Sequence, residues 1–146
     1  TGDIQLTLSQ QVPVSGAVVV TTPQDIALLD AKKGVEMFRK VNVPVLGIVE
    51  NMAIHICSKC GHEEHIFGAG GGEKIAKEYG VSVLGSLPLS LSIREQADTG
   101  KPTVAADPNG QIAGIYRRIA RLAPGQLARM ARQSAGSFPK ISIHND

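Results

Sequence analysis

The segment Gly16-Ala17-Val18-Val19-Val20-Thr21 constrains the fold more than any other, because it is a short β-branched apolar run without polar alternation. Such a run predicts a strand covered on both faces, as in a parallel sheet between layers of helix. Pro23 and Asp25 suit a helix start, and Leu28, Ala31, Val35 and Phe38 recur at helical spacing from Asp25 to about Lys40. Asn42-Val43-Pro44 breaks that helix, and Val45-Leu46-Gly47-Ile48-Val49 reads as the next strand. After an irregular stretch from Glu50 to Gly72, a helix is expected over Glu73 to Tyr79 with Gly80 as its cap, then a strand over Ser82 to Leu87 stopped by Pro88. A short helix over Ser92 to Ala97 comes next. A stronger one runs from Asn109 to about Leu122, is interrupted at Pro124-Gly125, and resumes over Gln126 to Gln133. This alternation predicts an α/β fold with a parallel sheet flanked by helices. One sheet edge is expected to face a part of a longer protein.

Composition narrows the function classes. The chain has three Phe, two Tyr and no Trp, which argues against a stacking platform for single-stranded nucleic acid. A net charge of +2 gives no strong push toward nucleic acid or membrane. No apolar run approaches the length that spans a bilayer, and Thr1-Gly2-Asp3-Ile4 does not read as a secretory signal but as a cut inside a longer chain.

The sharpest chemical signal is Cys57-Ser58-Lys59-Cys60-Gly61. Two thiolates at this spacing can turn toward one centre, and soft sulfur favours iron–sulfur clusters, zinc or copper(I). The pair is half a coordination shell, since zinc and four-iron clusters usually take four protein ligands. His62 and His65 could complete a zinc site; the same pair from a second copy could complete a cluster across a two-fold axis; or the pair could cycle as a dithiol.

Other candidates are weaker. Gly68-Ala69-Gly70-Gly71-Gly72-Glu73-Lys74 fails as a phosphate loop, because Glu73 precedes Lys74 and Ile75 comes after it, so it reads as a flexible entry into a helix. Asn51 and Pro88 stand just after strands, where open α/β sheets bind ligands, although spacing alone favours a turn-forming Asn51 and a Pro88 that simply stops its strand. His55, His62, His65 and His144 form no arguable nucleophilic triad. Arg117, Arg118, Arg121, Arg129 and Arg132 make a modest basic face that reads first as solvated, with phosphate or partner binding as the alternative.

Taken in order, these residues resemble the Mrp/ApbC-type iron–sulfur carriers, relatives of the MinD-like P-loop ATPases. Thr1-Gly2-Asp3 is similar to the end of that family's switch segment, Thr21-Thr22-Pro23-Gln24 to its strand-end motif, and Glu50-Asn51-Met52 to its Glu-Asn-Met. Cys57, Cys60 and Gly61 with Ile66-Phe67-Gly68 and Gly70-Gly71-Gly72 match its cysteine loop; Leu87-Pro88-Leu89, Ile93-Arg94-Glu95 and Gly100-Lys101-Pro102 match its next segment. The resemblance runs from Thr1 to about Ile119. Ser58-Lys59 between the cysteines and Ser90 after the third strand depart from the family's usual residues, and Lys59 adds a positive charge beside the cysteines.

The resemblance implies that Cys57 and Cys60 supply half of a [4Fe–4S] site shared by a homodimer. It implies that Asn51 hydrogen-bonds adenine with Pro88 and Leu89 lining the base pocket, and that Gly2 and Asp3 belong to a switch sensing the γ-phosphate. It further implies a cytoplasmic protein that hands clusters to apo iron–sulfur proteins and works with scaffold proteins, without nucleic acid or membrane. ATP and Mg would belong to the full-length parent, whose Walker A loop this chain lacks, so the chain is read as the C-terminal part of the ATPase domain. Residues 1–133 are taken as that part, with the cysteine loop at 50–72, and 134–146 as a tail expected to fray.

Overall fold

A computed structural model describes residues 3–135. In chain order the elements are α1 (Asp3–Gln11), β1 (Ala17–Thr21), α2 (Asp25–Lys40), β2 (Val45–Glu50), β3 (His55–Ile56), β4 (Glu63–Glu64), α3 (Gly71–Tyr79), β5 (Val83–Ser86), α4 (Leu91–Asp98), α5 (Thr103–Ala106) and α6 (Gln111–Ala135). β1, β2 and β5 form one parallel sheet in the order β1-β2-β5, while β3 and β4 pair antiparallel as a separate small hairpin. The expected parallel sheet flanked by helices is the observed architecture. The tail reading falls outside the described residues apart from Ser134 and Ala135, which end α6; Gly2 and His144 also lie outside them.

The sheet separates two apolar layers. On one face Val19, Val45 and Ile48 pack with Leu28, Ala31 and Val35 of α2 and with Ile75 and Ala76 of α3. On the other, Val49, Leu84 and Leu87 pack with Ile112, Ile115, Tyr116, Ile119 and Ala123 of α6. Ile48 and Ile75 are fully excluded from water; burial of such a side chain stabilises by about 1.5–3 kcal/mol. β2, the middle strand, is buried along its whole length, as its unbroken apolar run predicts.

Two expectations need correction. β1 is not covered on both faces: Val19 and Thr21 are buried, but Val18 is 37% and Val20 59% exposed. The reason is that α6 lies over β5 and β2, leaving the outer face of the edge strand open. Nor does Pro124 interrupt the last helix, which runs unbroken from Gln111 to Ala135. Pro124 and the Ala120 carbonyl it deprives of a donor are both on the exposed side, where water can serve that carbonyl. Beyond the proline, the Gln126 side-chain amide donates to the Ser82 hydroxyl at 3.2 Å and holds the helix to the sheet. Among the described residues no helix is long and apolar enough to cross a membrane.

Candidate metal centre

The chain leaving β2 continues alongside the residues that come after β5. Leu87 N–H donates to Glu50 O at 2.8 Å, Ala53 N–H to Leu87 O at 2.9 Å, and Leu89 N–H to Ile54 O at 2.8 Å. This two-stranded extension carries the β3–β4 hairpin beyond the carboxyl edge of the sheet, the edge at which open α/β sheets place ligands. The stretch expected to be irregular is thus partly ordered by His55 pairing with Glu64 and Ile56 with Glu63.

The cysteines occupy the tip. Cys57 N–H donates to His62 O at 2.9 Å, and Gly61 N–H returns to Cys57 O at 2.8 Å. Gly61 has φ +71°, a left-handed conformation that costs an L side chain about 1–2 kcal/mol and that glycine adopts freely. Both cysteines are free thiols; Cys57 is half-buried and Cys60 exposed. The Lys59 backbone N–H, then the Cys60 N–H, then the Cys60 thiol hold the Cys57 thiol below its ordinary range, outweighing partial desolvation. The turn therefore stabilises a thiolate before any metal arrives.

The two-cysteine, two-histidine zinc site is not assembled. Among the described residues no three His, Cys, Asp or Glu side chains are grouped to hold one metal ion. His65 is turned back to the scaffold, its Nδ1 lying 2.8 Å from the Ala53 carbonyl, which fixes the proton on that nitrogen. His55 Nδ1 similarly lies 3.3 Å from Leu89 O at the hairpin's base.

The residues implied for a nucleotide line two different cavities. Asn51 lines a cleft of about 540 Å³ with β1, α2 and Gln5 of α1. Its Oδ1 accepts the Met52 N–H at 3.0 Å, a local turn bond. Pro88 and Leu89 line a second cavity of about 340 Å³, together with Ile56 and Glu63 of the hairpin and Ile112 of α6. Asp3 is the exposed first residue of α1.

Sequence reasoning missed Glu50. Its side chain is buried, and its carboxylate accepts the Gly72 N–H in the first turn of α3. The glycine run is accordingly no flexible entry. A Cβ at Gly71 would stand 2.9 Å from Leu28 Cδ2 and 3.0 Å from Pro23 Cα, and one at Gly72 3.1 Å from Glu50 Oε2. The available signal was an acid ending an apolar strand, paired with bare N–H groups entering a helix.

A family model described as NUBPL iron-transfer P-loop NTPase matches residues 1–123. An iron–sulfur cluster carrier protein of Pseudomonas fragi is 74% identical over 120 residues, which is 82% of this chain and 42% of that protein. One from Escherichia coli (strain K12) is 62% identical over 127 residues, 87% of this chain and 34% of that protein. The chain thus spans well under half the length of these relatives. Among solved structures, a nucleotide-binding protein from Archaeoglobus fulgidus in complex with ADP superposes with a TM-score of 0.60 at 34% identity, covering 68% of this chain and 41% of that one.

Proposed function

The chain belongs to the NUBPL iron-transfer P-loop NTPase family, and on that premise we propose that it carries an iron–sulfur cluster as cargo for transfer to apoproteins. The cargo is a [4Fe–4S] cluster held by Cys57 and Cys60 together with the same pair from a second copy of the chain. The observation that carries this reading is the hairpin tip, which sets two thiols at an exposed end of the molecule with backbone N–H groups favouring the thiolate at Cys57. Two sulfurs leave a four-iron cluster half-ligated, and a two-fold axis through the tip supplies the rest. Ile56 and Ile66, 44% and 50% exposed beside the tip, are suited to line such a contact.

In the longer protein, ATP with Mg is proposed to govern holding and release, with Asn51, Pro88 and Leu89, which line different cavities here but stand on hydrogen-bonded neighbouring segments, at the adenine and Gly2 and Asp3 in the switch. The relative solved with ADP and the carboxyl-edge position of Asn51 support that part. Free thiols at this spacing suit a reducing compartment such as the cytoplasm, and scaffold proteins are the expected source of the cluster.

Anaerobic reconstitution of the chain with ferrous iron and sulfide tests the reading. The expected result is a brown species with cluster absorbance that elutes as a dimer and is lost in both Cys57→Ala and Cys60→Ala. One tightly bound metal ion per monomer, with no sulfide and no dimer, would overturn it.

A further inference from the structure

Helix α6 carries five arginines and no acidic residue over its 25 residues. The chain's net charge is only +2, so the remainder is net acidic and the charge is segregated. At 3.6 residues per turn, Arg118, Arg121, Arg129 and Arg132 fall within an arc of about 80°, and the first and last lie about 21 Å apart along the axis. All four are exposed. Among the described residues they take no part in the ion pairs, which instead join Lys32 to Glu78, Lys33 to Asp30, and Arg94 to Glu95 and Asp98. Arg117, off the stripe, donates to the Pro108 carbonyl. Unpaired like charges three residues apart oppose the helix slightly, so the stripe adds nothing to folding that would explain it.

The surroundings select the occupant. From Ile112 to Ala123 the apolar face of α6 is committed to the sheet, and Leu127 and Met130 beyond it are half-buried, so the helix offers no broad apolar face to sink into a bilayer. The one aromatic residue of α6, Tyr116, packs against the sheet, so the arginine stripe has no ring for a base to stack on. Guanidinium forks match carboxylates two bonds at a time. We propose that the outer face of α6 docks an acidic segment of the protein that accepts the cluster. This rests on the carrier reading above, and one further relationship supports it. Gln111 and Ile112, in the first turn of α6, line a cavity with Ile56 and Glu63 of the cysteine hairpin. Gln111, Arg118, Leu122 and Arg129 share one row of the helix, within about 40°. A segment lying on that row leads to the cysteines.

The test is fluorescence anisotropy of the chain with a labelled peptide carrying one Leu within a run of Glu and Asp. Binding is expected, weakening with salt, and is expected to fall about tenfold or more in R118E/R121E/R129E/R132E. The Arg→Gln version at the same positions serves if the reversed one does not fold by circular dichroism. Unchanged peptide affinity in the folded variant overturns the proposal, as does equal or tighter Arg-dependent binding of duplex DNA or of phosphatidylglycerol vesicles. Cluster reconstitution of the same variants separates the two readings. Retained cluster with lost peptide binding supports both, whereas Arg-dependent peptide binding by a chain that forms no cluster supports the docking surface and overturns the carrier reading alone.

Discussion

The carboxylate of Glu50 at the end of β2 accepts the backbone N–H of Gly72 in the first turn of α3, out of contact with water. The cysteine hairpin lies between these two residues in the chain, so the bond closes the base of the excursion that carries it. A helix N-terminus presents bare N–H groups and partial positive charge, and a buried carboxylate needs both.

Replacing Glu50 with Ala leaves the Gly72 N–H buried without an acceptor. The expected loss is about 1–3 kcal/mol in urea unfolding, with faster hydrogen exchange across residues 51–71. Glu50→Gln keeps an acceptor and is expected to lose less. Equal losses in the two variants would show that the hydrogen bond is not what matters.

Two glycines are expected to fail for different reasons. Gly71→Ala drives a methyl into Leu28 and the Pro23 backbone, and overpacking of this kind costs about 1–3 kcal/mol. Gly61→Ala meets nothing within 4 Å, so its cost is the left-handed φ alone, about 1–2 kcal/mol. The first should lower global stability; the second should chiefly perturb the turn, read as slower thiolate alkylation at Cys57.

Alkylation of apo Cys57 by iodoacetamide is expected to rise with pH through a midpoint below that of an ordinary thiol, because the Lys59 and Cys60 N–H groups favour the thiolate. Stability moves with the same titration. With the folded value depressed, the unfolded chain binds more protons between the two values, so stability rises with pH across that interval and is lost as pH falls through the folded value. A midpoint at or above that of the unfolded chain in denaturant would contradict the geometry of the turn.

Pro124→Ala restores a donor inside α6 and removes a ring clash, and helix-interior proline costs about 3 kcal/mol relative to alanine. Thermal unfolding is expected to shift upward. No shift would mean that the helix already accommodates the ring without strain.

The purified 146-residue chain contains no Gly-x-x-x-x-Gly-Lys-Ser/Thr run to cradle phosphates. It is expected not to turn over ATP, a point that phosphate release measured at saturating ATP and Mg decides.

Element type was legible wherever residues close in the chain carry the signal. The β-branched runs of β1 and β2, the helical spacing of α2, and the two cysteines at one turn's distance were all legible, because strand and helix periodicity and ligand chemistry are local properties. The features that emerged only on folding involve residues far apart in the chain. Burial of Glu50 depends on where α3 returns, the openness of β1 on where α6 lies, and the opening of Asn51 into one cavity and of Pro88 and Leu89 into another on which helices pack beside each strand end. His65 facing Ala53 rather than the thiols is of the same kind. Spacing along a chain fixes direction only within a turn of helix or a strand; across a crossover the packing of whole elements sets it, and no single residue records that packing.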